Sequence, residues 1–268
     1  LPEAAGLYYE THGDPEAPPL ILSSGLGGSA AYWAPNIPDL AKRFRVVAYD
    51  HRSTGRSDQA LPDASIGEMA KDVLALMDAL GIENADVIGH ALGGHVALEL
   101  ARIAPERAGR LVIVNGWASL DPQTARCFEV RLTLLRSAGA RAYLHAQPLF
   151  LFPATWLSEH DAALREELET HLAHWPGDDT IEARVSAVSA FDCRAWAPAI
   201  QSPTLLISAA DDLLVPWTNS VRLAELLAAP FNMHLPWGGH ACNVTVPETF
   251  NRDVAAWLTG EAPPFQER

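Results

Sequence analysis

Hydrophobic positions along the first half of the chain fall into two alternating patterns. Short runs rich in β-branched residues, at 18–24, 44–49, 85–88 and 111–114, read as buried strands, and between them lie longer stretches with apolar residues at helical spacing. The clearest is 65–80, where Ile66, Met69, Ala70, Val73, Leu74, Met77 and Leu80 form one stripe. Ser65 stands three residues before Glu68, the spacing of a capping box. Strands that alternate with helices predict a parallel sheet with crossover helices. After Trp117 the alternation stops. To about Ile200 the chain reads as several helices rich in Leu, Ala, Arg and aromatic residues, interrupted at Pro148 and Pro153. Strands resume at 204–208 and 232–235, and a helix around 250–258 follows. The expected organisation is an α/β core made of residues 1–116 and 201–268, with 117–200 inserted as a helical lid over the strand C-termini, where open α/β sheets bind ligands.

Composition narrows the partners. Hydrophobic residues make up 49% and charged residues 19%, enough for a packed core. A net charge of −14 repels phosphate backbones and anionic headgroups, which speaks against nucleic acid or a membrane surface as partner. No apolar run reaches the 18 or so residues of a membrane helix, and Leu1 to Glu10 hold no basic stretch followed by an apolar core. Cys127, Cys193 and Cys242 are odd in number and lack C-x-x-C spacing, so neither a disulfide framework nor a zinc site is expected, and a cytoplasmic location fits.

The strongest chemical signal is Gly89-His90-Ala91-Leu92-Gly93, after a strand and before a helix. With Ser in the middle it would be a nucleophile elbow, whose glycines allow the tight turn that lifts the central side chain above the sheet. Here the centre is Ala91, and a methyl group cannot attack a carbonyl. Partners of such an elbow follow in the order acid, then base. Asp212, four residues before Pro216, is the expected acid, with Asp211 the second choice; His240, in Gly238-Gly239-His240, stands where the base belongs. Gly25-Leu26-Gly27-Gly28 lacks the Lys and Ser/Thr of a P-loop and the spacing of a dinucleotide site, so no cofactor is implied. It reads better as an oxyanion loop, with the Leu26 and Leu92 N–H groups as donors.

At this point the chain resembles the α/β-hydrolases and, within them, the RutD-type hydrolases of Rut pyrimidine degradation. The match runs from Ser24 to about Asn251. It rests on Ser24-Gly25-Leu26-Gly27-Gly28-Ser29, Tyr32-Trp33, the elbow, Val114-Asn115-Gly116-Trp117, Arg126-Cys127-Phe128-Glu129-Val130-Arg131 and Ala146-Gln147-Pro148-Leu149-Phe150-Leu151. Asp211-Asp212-Leu213-Leu214-Val215-Pro216 and Gly238-Gly239-His240-Ala241-Cys242-Asn243-Val244-Thr245 complete it. The resemblance implies an α/β-hydrolase fold, Ala as the native elbow residue, a homodimer, and hydrolysis of carbamate or 3-aminoacrylate with release of ammonia. Ser53 departs from the pattern, where related loops have Gly after His51-Arg52, and a small backbone adjustment is expected there.

Both substrates are anions, so the site of an acidic protein needs local positive charge. From 117 to 155 four arginines face two acids, and Arg126 and Arg131 are the candidates for a carboxylate contact, with Asn115 and Trp117 on the substrate side of a strand end. Ser24 and Ser29 are candidates for holding a water. His90 and His95 with His240 make a poor metal set without a spaced carboxylate, and Cys242 reads as a packing residue. Two other functions stay open: a serine esterase whose nucleophile has been replaced by Ala, and a non-catalytic carboxylate-binding module.

Overall fold

In the computed structural model, which describes residues 3–59 and 64–261, eight strands form one sheet in the order β1-β2-β4-β3-β5-β6-β7-β8. The strands are β1 (Glu3–Ala4), β2 (Leu7–His12), β3 (Pro19–Ser23), β4 (Arg45–Tyr49), β5 (Ala85–His90), β6 (Ala108–Val114), β7 (Thr204–Ala209) and β8 (Pro230–Leu235). From β4 across to β8 every pairing is parallel; β1 and β2 run antiparallel at one edge. The helices are α1 (Ile37–Leu40), α2 (Ile66–Ala79), α3 (Leu92–Ile103), α4 (Pro122–Leu151), α5 (Ala154–Ala173), α6 (Asp178–Ser189), α7 (Thr218–Ala224), α8 (Cys242–Thr245) and α9 (Pro247–Leu258). Leu1, Pro2 and residues 262–268, counted with the core above, lie outside the described residues.

The central strands read as continuous apolar runs because both faces are covered. Ile21, Val47, Val87, Ile113 and Leu206 point into the core shared with α2 and α3, whereas Leu20, Leu22, Val46, Ile88, Val112 and Ile207 point into a second core closed by Trp33, Phe250, Val254 and Trp257. The two-residue period of a strand sorts neighbours in sequence to opposite layers. Ser65 caps α2, its hydroxyl accepting from the Glu68 N–H at 3.2 Å.

Residues 117–200 hold α4, α5 and α6, between β6 and β7. They are tied to strand-end loops: Thr124 Oγ1 donates to the Leu214 carbonyl at 3.0 Å, Ala241 N–H to Leu151 at 3.0 Å, and Arg184 Nε to Leu26 at 2.9 Å. The expected break at Pro148 is absent, since Pro148 lies inside α4 three residues from its end; the chain instead bends at Gly139, whose φ of 78° and ψ of −178° leave the helical region. Pro153 does separate α4 from α5, standing at the α5 N-cap. Ser53 takes a φ of 67°, the left-handed conformation for which glycine is the usual residue.

Candidate active site

Four segments meet at the C-terminal ends of the parallel strands. β5 ends at His90, and Ala91 follows with φ 47° and ψ −109° before α3 begins at Leu92. Such a backbone is strained for a residue with a Cβ. The flanking glycines make room for it. A Cβ on Gly89 would strike the Gly93 carbonyl, and a Cβ on Gly93 would strike the Ser23 carbonyl and sit 2.6 Å from that of Ser24. The elbow is therefore wedged directly against the segment that enters the Gly25–Gly28 loop. A Cβ on Gly25 would lie 2.8 Å from His90 Nδ1, so loop and elbow are in contact here too.

Leu92 opens α3, and its N–H is one of the orphan donors at the positive end of a helix. Among the described residues neither Leu92 N–H nor Leu26 N–H donates a hydrogen bond.

From the far side of the sheet β8 leads to Gly238, Gly239 and the buried His240. His240 Nδ1 donates to Asp212 Oδ2 at 2.8 Å, which leaves the lone pair on Nε2. Asp212 is itself fixed, because its Oδ1 accepts from the N–H groups of Leu214 at 2.8 Å and Val215 at 2.9 Å. The backbone behind the imidazole is pinned as well. Its carbonyl accepts from Asn115 Nδ2 at 2.6 Å and from His90 Nε2 at 2.9 Å, and Asp211 Oδ1 takes the Gly239 N–H at 2.9 Å. Burial, followed by the repulsion a proton on the adjacent His240 would exert, holds the His90 pKa well below the ordinary histidine value, so it stays a neutral donor.

The structure thus brings Ala91, Leu92, Asp212, His240 and Asn115 together, with the Leu26 loop against the elbow. Asn115 was expected on the substrate side; its amide instead turns to the His240 carbonyl, a holding contact. Trp117 is buried edge-on to His95, with ring centroids 4.2 Å apart. Arg126 is exposed on α4, about 200° around the helix from buried Thr124 and Phe128, so it faces solvent rather than the site. Arg131 does face inward, where its Nη2 donates to Tyr143 Oη at 2.7 Å and to Gln147 Oε1 at 3.0 Å.

Several contributors escaped the sequence reading. His90 and Asp211 as braces of the His240 turn are two, and Arg184 is a third. Arg184 had a readable signal, since Ile181, Arg184, Val185 and Val188 share one helical stripe and a cation on an apolar stripe is unusual. Ser29 is committed to capping, its hydroxyl accepting from the Ala31 N–H at 3.2 Å, whereas the buried Ser24 hydroxyl has no partner among the described residues. Burial pushes the Cys242 thiol up to about 12, aided by the Asp212 charge, so it is no thiolate nucleophile. Among the described residues no group of three or more His, Cys, Asp and Glu side chains is arranged to hold a metal ion, and no helix is long and apolar enough to cross a membrane.

Known proteins share this sequence and fold. Residues 18–152 match the family model described as alpha/beta hydrolase fold. A protein of Caulobacter sp. (strain K31) named "Putative carbamate hydrolase RutD" is 48% identical over 260 residues, covering 96% of this chain and 97% of its own. The protein of that name from Agrobacterium fabrum is 45% identical over 255 residues, covering 94% and 98%. Among solved structures, a hydrolase from Pseudomonas aeruginosa superposes with a TM-score of 0.85 at 30% identity, covering 94% of each chain. The enol-lactonase from Burkholderia xenovorans gives 0.85 at 28% identity, covering 94% of this chain and 96% of its own. The chain belongs to the α/β-hydrolase family and, within it, to the RutD group.

Proposed function

We propose that this hydrolase acts on a short anionic C–N compound of the Rut uracil-degradation pathway, carbamate or 3-aminoacrylate, and releases ammonia. The observation that carries the proposal is an intact, buried His240–Asp212 couple beside an elbow that bears only the Ala91 methyl. In this mechanism a water takes the place of a serine hydroxyl, and the Ser24 hydroxyl is a candidate to hold it. His240 Nε2 accepts a proton from that water as its oxygen attacks the substrate carbon. The same proton is then delivered to the departing nitrogen, so carbamate gives bicarbonate and ammonia. For 3-aminoacrylate the attack falls on the carbon of its imine tautomer, and malonic semialdehyde and ammonia leave. Leu26 and Leu92 N–H groups receive the negative oxygen that develops on carbamate, or a carboxylate oxygen of 3-aminoacrylate, whose attacked carbon carries none, and residues 117–200 cover the site as a lid.

Such a device is weaker than a covalent nucleophile. General-base catalysis supplies about 10² to 10⁴-fold and one oxyanion donor a similar order, which suffices for compounds that also decompose without an enzyme. His240→Ala should reduce enzyme-dependent ammonia release from freshly made carbamate and aminoacrylate by about 10²-fold or more, read against the spontaneous rate. Undiminished release would rule the mechanism out.

The elbow geometry around Ala91 also favours a second reading, a serine esterase that carries Ala in place of its nucleophile. Ala91→Ser distinguishes it, because such an esterase would regain its nucleophile.

A further inference from the structure

Two arginines are buried in the helices above the strand ends, Arg131 at 3% and Arg184 at 0% exposure, and neither has a carboxylate partner among the described residues. Burying an uncompensated cation is costly, so its retention calls for a reason. Arg131 donates from Nη2 to Tyr143 and Gln147, away from the Gly25–Gly28 loop, and its Nε is buried without a partner. Arg184 is bound differently. Its Nε donates to the Leu26 carbonyl at 2.9 Å, and its Nη2 donates to the Gly25 carbonyl at 3.4 Å and to His51 Nδ1 at 3.3 Å, while Nη1 is buried without a partner.

The Gly25 carbonyl and the Leu26 N–H are the two ends of one peptide group. A cation on the oxygen of a peptide polarises the bond and makes its N–H a stronger donor, an effect enlarged in a buried, low-dielectric setting. The same carbonyl accepts from Gly28 N–H at 3.0 Å, which closes the loop into a turn. Below, the Gly28 carbonyl accepts from His51 N–H at 2.7 Å and Thr54 Oγ1 at 2.9 Å. The loop is thus held from beneath by the core and from above by α6.

We infer that Arg184 is a positioning residue that holds and polarises the Gly25–Leu26 peptide, so that the Leu26 N–H becomes a seat for the oxygen of a short carboxylate. The inference rests on the proposed oxyanion role of Leu26, and it adds the origin of the preference for anions. It also makes the docking of α6 a condition of a competent site.

The test titrates ¹⁵N-labelled protein with propionate and with its neutral isostere propionamide, following the Leu26 and Leu92 amide resonances, on wild type, Arg184→Met and Arg184→Lys. Wild type should bind propionate in preference to propionamide and shift both amides. Arg184→Met should lose about tenfold of that preference and move the free Leu26 amide proton upfield, and Arg184→Lys should recover part of both by restoring the charge. A simple structural brace would weaken both ligands alike. A folded Arg184→Met protein with an unchanged preference overturns the inference. So does a wild-type protein whose Leu26 amide ignores propionate, a result that needs no variant to fold. Full ammonia release by His240→Ala would instead sink the His240 mechanism and leave this anion seat standing or falling on its own titration.

Discussion

At residue 91 the backbone and the side chain point to different chemistries. The φ of 47° is the strained turn of a nucleophile elbow, and the side chain is a methyl that leaves the His240 Nε2 lone pair nothing covalent to activate. A fold that keeps this conformation while giving up the nucleophile retains a place where a hydroxyl would sit. Ala91→Ser should therefore fold with a stability within about 1 kcal/mol of the parent, since it adds one small polar group at a site 7% exposed. If the chain derives its activity from water, the serine variant should gain slow cleavage of a small aryl ester such as p-nitrophenyl acetate and lose part of its ammonia release, because the hydroxyl displaces the water. If the chain is an esterase lacking its nucleophile, the serine variant should instead cleave the ester as a serine hydrolase does, and ammonia release should be absent in both forms. The positions of Asp212 and His240 were legible in the sequence because Pro216 and the Gly238-Gly239 pair mark strand-end turns. The braces were not. Nothing in the sequence says that Asn115 and His90 both aim at one carbonyl, since that depends on how two strand ends and a distant loop approach in space.

Glycines separate elements that must be shaped in one way from those that only bend. Gly93, in the first turn of α3, lies against the Ser23 and Ser24 carbonyls, and both are backbone atoms that cannot rotate aside. Gly93→Ala should force α3 away from β3 and cost about 2–4 kcal/mol, seen as a lower urea midpoint with an unchanged slope. Gly139, at the bend of α4, has nothing within 4 Å of where a Cβ would stand, so its backbone conformation is the sole penalty. Gly139→Ala should cost about 1–2 kcal/mol of backbone strain, less than Gly93→Ala; equal losses for the two would show that close approach is not what selects Gly93. The same contrast explains what could be read in advance. β3 to β7 and α2, α3 and α9 announce themselves because each buries a face with regular period, and β8 shows through Met233 and Leu235 alone. β1 and β2 went unread: one is two residues long, and β2 mixes buried Leu7 and Tyr8 with half-buried Tyr9 and Glu10, without clean alternation. Pro148 misled because a proline near the end of a helix removes one N–H without ending it, whereas Gly139 can take the backbone conformation that bends the chain.

On the scale of the whole molecule, histidines buried behind the site make acid the condition it tolerates least. His51 stacks on Tyr49 with Arg184 at its Nδ1, His90 lies between Tyr32 and His240, and His95 sits between Trp117 and Phe191. Burial pushes all three below the ordinary histidine value, His51 further by the Arg184 charge, His90 further by His240, and His95 to about 3. Their folded pKa values are depressed, so the unfolded chain binds more protons than the folded one below about pH 6.5. The stability they allow is complete above that pH and is lost as the pH falls, at about 1.4 kcal/mol per unit for each histidine. Net charge pulls the other way, because the −14 of neutral pH relaxes towards zero near the isoelectric point of about 5.0 and self-repulsion fades. The local effect should win, since desolvated imidazoles interact at contact distance and the surface charges are screened. Calorimetry in constant ionic strength should show Tm falling steadily from pH 7 to pH 5, before most carboxylates titrate. His95→Phe, which keeps a ring between Trp117 and Phe191, should reduce the slope by about one third. A Tm that holds or rises on acidification across this range would mean that the histidines are hydrated, and the dry, neutral setting assigned to His90 behind the His240 carbonyl would have to be abandoned with it.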